Sequence, residues 1–223
     1  MTILTRIKNL ISDLFFPKFC FNCQREGDYL CPDCQAMLEI SGQHRISRLL
    51  EIDDLYWASD YNNPLIYKLV QSFKNEPIIK DLSEALGFLI QAHLQLLDEQ
   101  PDFSEFILVP VPLEIKKLKW RGFNQAEEIA KELTDFLKIP VRNVLIKKDN
   151  NLFCSKPNEI KENNIILIDD YYLSGATMAE CAKVLKGAGA KKIIGLVAAR
   201  GENDKQNITS AIISKNSIFL KRS

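Results

Sequence analysis

Six cysteines occur in the chain, and four of them lie between positions 20 and 34. Cys20 and Cys23 are separated by two residues, as are Cys31 and Cys34, with seven residues between the pairs. Two intervening residues let a tight turn present both sulfurs to one ion. Two such turns supply four thiolates at a tetrahedral centre, which suits zinc. With every position filled by protein, the centre has no place for a reacting water and reads as structural. The bland alternative is two unpaired surface thiol pairs, and a redox C-x-x-C would need a βαβ setting these cysteines lack. A second cluster follows an apolar run: Asp169 and Asp170, then Leu173, Ser174, Gly175, Ala176 and Thr177. Two acids at a strand end can accept hydrogen bonds from vicinal hydroxyls, as on a ribose. Gly175 permits close backbone approach, and free N–H groups at a helix start make an anion site. A solvated turn with a good helix cap is the competing reading.

Lys116, Lys117, Lys119, Trp120 and Arg121 form the sharpest basic cluster. Cations beside a ring suit a single nucleic-acid strand, but the same cations would serve a pyrophosphate or simply face solvent. Neither a P-loop nor a dinucleotide-binding glycine pattern is present. His44, Cys154 and Cys181 stand outside these clusters and are read as surface or structural residues.

These residues need elements to position them. Lys and Arg together number 29, as do Asp and Glu, so no sequence-wide basic field draws the protein to nucleic acid or anionic lipid. From Leu55 onward, strand-like and helix-like segments alternate. Phe106–Val111, Ile165–Ile168 and Ile193–Ala199 read as buried strands. Pro64–Phe73, Asp81–Leu97, Asn124–Leu137 and Ala176–Lys186 read as helices, with Asn124 an N-cap. Val141–Ile146 is a further strand candidate. The pattern predicts an α/β fold with a mostly parallel sheet, whose ligands bind beyond the carboxyl ends of the strands. Residues 1–16 are expected to form an amphipathic helix, 17–50 the zinc module and its join, and 51–223 the α/β domain. The N-terminal apolar positions are interrupted by charge, so neither a secretory leader nor a membrane span is expected, and a cytoplasmic protein is.

The run from Ile166 to Met178 resembles the phosphoribosyl-pyrophosphate motif of type I phosphoribosyltransferases. Val109-Pro-Val-Pro-Leu113 with Arg121-Gly-Phe-Asn-Gln125 resembles the signature of ComF-family proteins, which also begin with a four-cysteine zinc module. Tyr61 to Lys74 is similar to the family's pattern before its first long helix. The resemblance implies a type I phosphoribosyltransferase fold and a role in natural transformation, handling incoming single-stranded DNA with the uptake-machinery proteins on the cytoplasmic side. It places Asp169 and Asp170 at the ribose hydroxyls, Leu173 to Thr177 at the 5′-phosphate, and Arg121, with Lys74, near the pyrophosphate. Magnesium would accompany that ligand, and nucleoside metabolism is the neighbouring field. Two departures stand out. Leu173 occupies a position where the family has Thr or Ser, and the stretch between Val144 and Ile165 lacks the family's longer Arg-, Gln- and Asn-bearing segment. A short loop there would spare binding and weaken transfer, which leaves a non-catalytic adaptor as the other reading.

Overall fold

The structure is a computed structural model that describes residues 17–46, 51–76, 78–149 and 151–201. The helix expected over residues 1–16 lies outside the described residues. The chain divides into two compact units, Met1–Glu39 and Ile40–Ser223.

In the first unit, backbone bonds fold the chain around the cysteines. The N–H of Cys20 donates to the Arg25 carbonyl (2.9 Å), and that of Phe21 to the Tyr29 carbonyl (3.0 Å). A short helix, α1 (Pro32–Ala36), carries Cys34. Its first residue is proline, which a helix start tolerates because the missing N–H has no partner there.

The second unit is an α/β fold. Its sheet contains β1 (His44–Ile46), β2 (Asp54–Asp60), β3 (Phe106–Pro110), β6 (Asn164–Tyr172) and β7 (Lys192–Arg200) in the spatial order β1-β2-β7-β6-β3. All neighbours are parallel except β1 against β2. The expected fold class, a mostly parallel α/β sheet preceded by a four-cysteine module, is the one observed. Residues 44–46, read from sequence as part of the join, instead add an edge strand. Central β6 and β7 are almost wholly buried, which explains why their sequences run apolar without alternation.

The helices are α2 (Pro64–Lys74), α3 (Leu82–Leu96), α4 (Ile115–Arg121), α5 (Gln125–Leu137) and α6 (Ala176–Gly187). Asn63 caps α2 by accepting from the N–H groups of Leu65 and Ile66, and Asn124 caps α5 through Ala126. Ile165 and Leu167 of β6 and Ile193 and Val197 of β7 pack with Met178, Cys181 and Leu185 of α6. A separate hairpin, β4 (Leu145–Lys148) with β5 (Asn151–Cys154), shares only Leu145 and Ile146 with the strand expected over Val141–Ile146 and occupies part of the stretch expected to be a short loop. No helix among the described residues is long and apolar enough to cross a membrane.

Candidate functional site

The acid pair was expected just past a strand, yet β6 runs through it to Tyr172. The reason is pairing: β7 stays in register with β6 as far as Tyr172 opposite Arg200, whereas β3 ends with Pro110 opposite Ile168. Beyond Ile168, β6 therefore has a neighbour on one side only, and the open side is a cavity of about 560 Å³. Its wall includes Lys74, Lys117, Arg121, Lys147, Asp169, Asp170 and the loop from Leu173 to Thr177. The structure thus gathers the predicted acids, phosphate loop, Arg121 and Lys74 at one place, at the carboxyl end of the parallel strands.

The pleat separates the two acids. Asp169 continues the face that packs on α6, while Asp170 turns to the other face, toward α2. Asp170 is 1% exposed, and its Oδ1 lies 2.9 Å from the Lys74 ammonium. Its Oδ2 is buried without a hydrogen-bond partner. Asp169 is half-buried and accepts from the Asp170 N–H (2.9 Å). Burial, then the neighbouring Asp170 charge, pushes the Asp169 carboxyl well above the usual carboxylate range. Burial pulls the Lys74 ammonium down, but Asp170 and Asp169 outweigh it and leave Lys74 above its ordinary value.

Gly175 precedes α6 at φ 72°, a left-handed conformation. A Cβ there would overlap the Tyr172 ring, so the loop's path requires glycine. Ser174 accepts from the Ala176 N–H (3.4 Å), and Ser174 and Thr177 are exposed at the helix start. Leu173, which brings no hydroxyl, lines the same loop.

The segment 121–125 does more than furnish a cation. Arg121 donates from Nη2 to the Lys74 carbonyl (2.8 Å), and its Nε is buried without a partner. Burial lowers the Arg121 guanidinium, with Asp170 opposing. Asn124 donates to the Val111 carbonyl (2.9 Å), and buried Gln125 donates to the Phe73 carbonyl (3.0 Å). These bonds tie the segment 121–125 to the residue after β3 and to the end of α2.

The basic cluster lies on α4, which buries none of its residues. Lys117 lines the cavity and makes no ion pair among the described residues. Lys116 pairs with Asp149 (3.1 Å). Lys119 is exposed, and Trp120 keeps 60% of its surface free for stacking. Lys147 was missed from sequence. It reaches the cavity from β4 while holding Glu180 of α6 at 3.0 Å. Its only sequence signal is a place in a polar stretch, which is weak.

In the first unit, one ligand atom from each of Cys20, Cys23, Cys31 and Cys34 lies within 4.8 Å of the others. Cys20, Cys31 and Cys34 are buried and Cys23 is exposed. Burial opposes the Cys20 thiolate, but backbone N–H groups of Cys31, Cys23 and Asn22 outweigh it and lower Cys20 to about 6. Asn22 also donates to Cys34 Sγ (3.3 Å). Four convergent sulfurs with hydrogen-bonded support can hold one metal ion.

No protein-family model matches the chain. It is 26% identical over 204 residues to Competence protein ComFC of Bacillus subtilis (strain 168), spanning 77% of this chain and 79% of that protein. It is 24% identical over 206 residues to Competence protein F of Haemophilus influenzae, spanning 78% of this chain and 86% of the relative. Competence protein ComFC of Streptococcus pneumoniae is 32% identical over 109 residues, 44% of this chain and half of the relative. The resemblance to ComF-type competence proteins therefore extends over most of the chain. Among solved structures, a purine phosphoribosyltransferase from Pyrococcus horikoshii Ot3 is similar with a TM-score of 0.33 and 15% identity, over 52% of this chain and 71% of that one.

Proposed function

We propose that this chain, similar to competence proteins over most of its length, binds phosphoribosyl pyrophosphate with magnesium and serves natural transformation on the cytoplasmic side. One observation carries the reading: Asp169, Asp170, the loop 173–177, Arg121 and Lys74 converge on one cavity at the carboxyl end of the parallel strands. The loop and the first turn of α6 would take the 5′-phosphate, since N–H groups at a helix start favour an anion. Asp169 would face the ribose with Asp170 held behind it by Lys74, and Arg121 with Lys117 would meet the pyrophosphate. If a ribosyl group is transferred, positive charge developing on the sugar would be offset by the carboxylates. The four-cysteine module would hold a structural zinc ion, leaving the chemistry to the α/β unit.

A second reading has its own support. Trp120, Lys116 and Lys119 stand on the outside of α4, with Lys117 of the same helix at the cavity, which suits a single strand of DNA. An adaptor for DNA and uptake-machinery proteins would use this face whether or not transfer occurs.

The primary reading is tested by calorimetric titration of the full chain with magnesium phosphoribosyl pyrophosphate. Wild type is expected to bind, and the double variant D169N/D170N to lose at least tenfold in affinity, roughly the weight of one charge-assisted contact. Equal binding by both proteins, or none by wild type, would remove the sugar-phosphate site and leave the DNA face as the function to pursue.

A further inference from the structure

The end of α2 is fixed from below. Gln125, 4% exposed, holds the Phe73 carbonyl at 3.0 Å, and Arg121 holds the Lys74 carbonyl at 2.8 Å. The ring of Phe123, from the same segment, packs 5.7 Å from that of Phe73. With its backbone so held, Lys74 extends across Asp170. Its ammonium sits 2.9 Å from Asp170 Oδ1 and 3.5 Å from the centre of the Tyr171 ring. The Tyr171 N–H donates to the same carboxylate oxygen (3.0 Å). Behind it, the Tyr171 ring stacks on Tyr61 at 5.1 Å, and the Tyr61 hydroxyl accepts from Gln71 of α2 (2.6 Å).

A carboxylate as deep as Asp170 remains charged only beside a partner, and breaking such a buried pair costs several kcal/mol of stability in general. Among the described residues, Lys74 is the cation within ion-pair distance of Asp170. An ammonium bonded to a carboxylate and lying on a ring is already occupied on two sides. To reach a pyrophosphate it would have to leave Asp170 uncompensated. Asp169 differs on each count: it lies on the other face of the pleat, is partly exposed, and makes no ion pair among the described residues.

Resting on the ribosyl-phosphate reading above, we infer that Lys74 is a positioning residue for the acid pair, the built-in counter-cation of Asp170. Asp169 then presents its carboxyl group to the sugar, and Lys74 is not a ligand of the pyrophosphate. Asp170 acts through the strand: its fixed side chain and its N–H, which donates to Asp169 Oδ1, set where the Asp169 carboxylate points. Arg121 and Gln125 act one step further out, by fixing the end of α2.

Two probes separate this role from a direct contact. Ribose 5-phosphate carries the sugar without the pyrophosphate, and inorganic pyrophosphate with magnesium carries the reverse. As a positioning residue, Lys74→Met weakens ribose 5-phosphate binding by about tenfold or more, because the stranded Asp170 charge disturbs the strand that aims Asp169. It leaves pyrophosphate within about threefold, a difference of under 1 kcal/mol. Adding Asp170→Asn to Lys74→Met removes the stranded charge and restores most of the lost ribose 5-phosphate affinity, a coupling that a double-mutant cycle measures. Should Lys74→Met alone fail to fold, the paired variant against D169N carries the same comparison, and D169N must be the weaker binder of ribose 5-phosphate. Loss confined to pyrophosphate, or no recovery in the paired variant, overturns the assignment while leaving the ligand reading intact. Wild type that binds neither probe overturns the ligand reading itself.

Discussion

Neighbouring residues on a strand cannot look the same way, and at positions 169 and 170 that geometry divides two identical side chains between different surroundings. One carboxylate is sealed against Lys74, and the other keeps a face in the cavity. The same residue-level economy governs Gly175. Its φ of 72° costs an L-residue about 1–2 kcal/mol, and the methyl of an alanine would also press on the Tyr172 ring. Gly122 offers the matched control, since its φ is 85° and nothing lies within 4 Å of an added Cβ. In urea unfolding, Gly122→Ala should cost about 1–2 kcal/mol, the backbone term alone. Gly175→Ala should cost about 2–3 kcal/mol and weaken phosphoribosyl pyrophosphate binding as the loop shifts. Equal costs at the two positions would mean that Tyr172 yields freely and that the loop does not depend on this contact.

At the scale of elements, the four-cysteine turn pair has almost nothing but its sulfurs to hold it. Its described helix, α1, is five residues long, and its buried residues are chiefly Cys20, Leu30, Cys31 and Cys34. Metal binding by such modules contributes about 10 kcal/mol or more to folding at neutral pH. The purified chain should contain one zinc per molecule by elemental analysis. Stripping it with a strong chelator should open the peptide bonds between residues 17 and 39 to protease while the α/β unit keeps its thermal transition. A metal-free protein that resists cleavage there would show that the sulfurs are held by packing alone. Which elements were legible in the sequence follows from what each buries. β6, β7 and β3 are apolar on both faces and read as buried strands, although the extension of β6 through the acids did not, because the charges at Asp169 and Asp170 end the apolar run while backbone pairing with β7 continues. The cap at Asn124 was legible because its side-chain bond is local. Helix α4 was not, because it buries none of its side chains and so has no apolar stripe. The hairpin at 145–154 pairs two four-residue strands outside the main sheet, turning near Asp149 at φ 47°. Its first strand shares only Leu145 and Ile146 with the strand expected over Val141–Ile146, its second is short and polar, and nothing in the sequence aims Lys147 at the cavity. The bonds of Arg121 and Gln125 to α2 join residues 47 and 52 positions apart, a separation at which one sequence carries no visible signal.

For the whole molecule, 29 basic and 29 acidic residues cancel, so any attraction to DNA must be local and shallow. Helix α4 concentrates three lysines and a free indole on a surface with no buried side chain of its own. Lys116 already pairs with Asp149, but both are well exposed, and such a pair is worth about 1 kcal/mol or less, so a phosphate can displace it. For single strands each phosphate neutralised contributes about 0.7 to the slope of log K against log salt, so three lysines bound the slope near −2. Binding of a short oligodeoxythymidine, followed by fluorescence anisotropy between low and moderate salt, should show that slope. Lys116→Ala, Lys117→Ala and Lys119→Ala together should flatten it. Trp120→Ala should instead lower affinity by about 1–3 kcal/mol at every salt concentration, because stacking does not release counterions. A steep slope that survives the triple change would place the DNA elsewhere on the molecule. Binding indifferent to both salt and Trp120 would leave α4 as solvent-facing surface, with its one cavity-lining lysine, Lys117, serving the sugar-phosphate site alone.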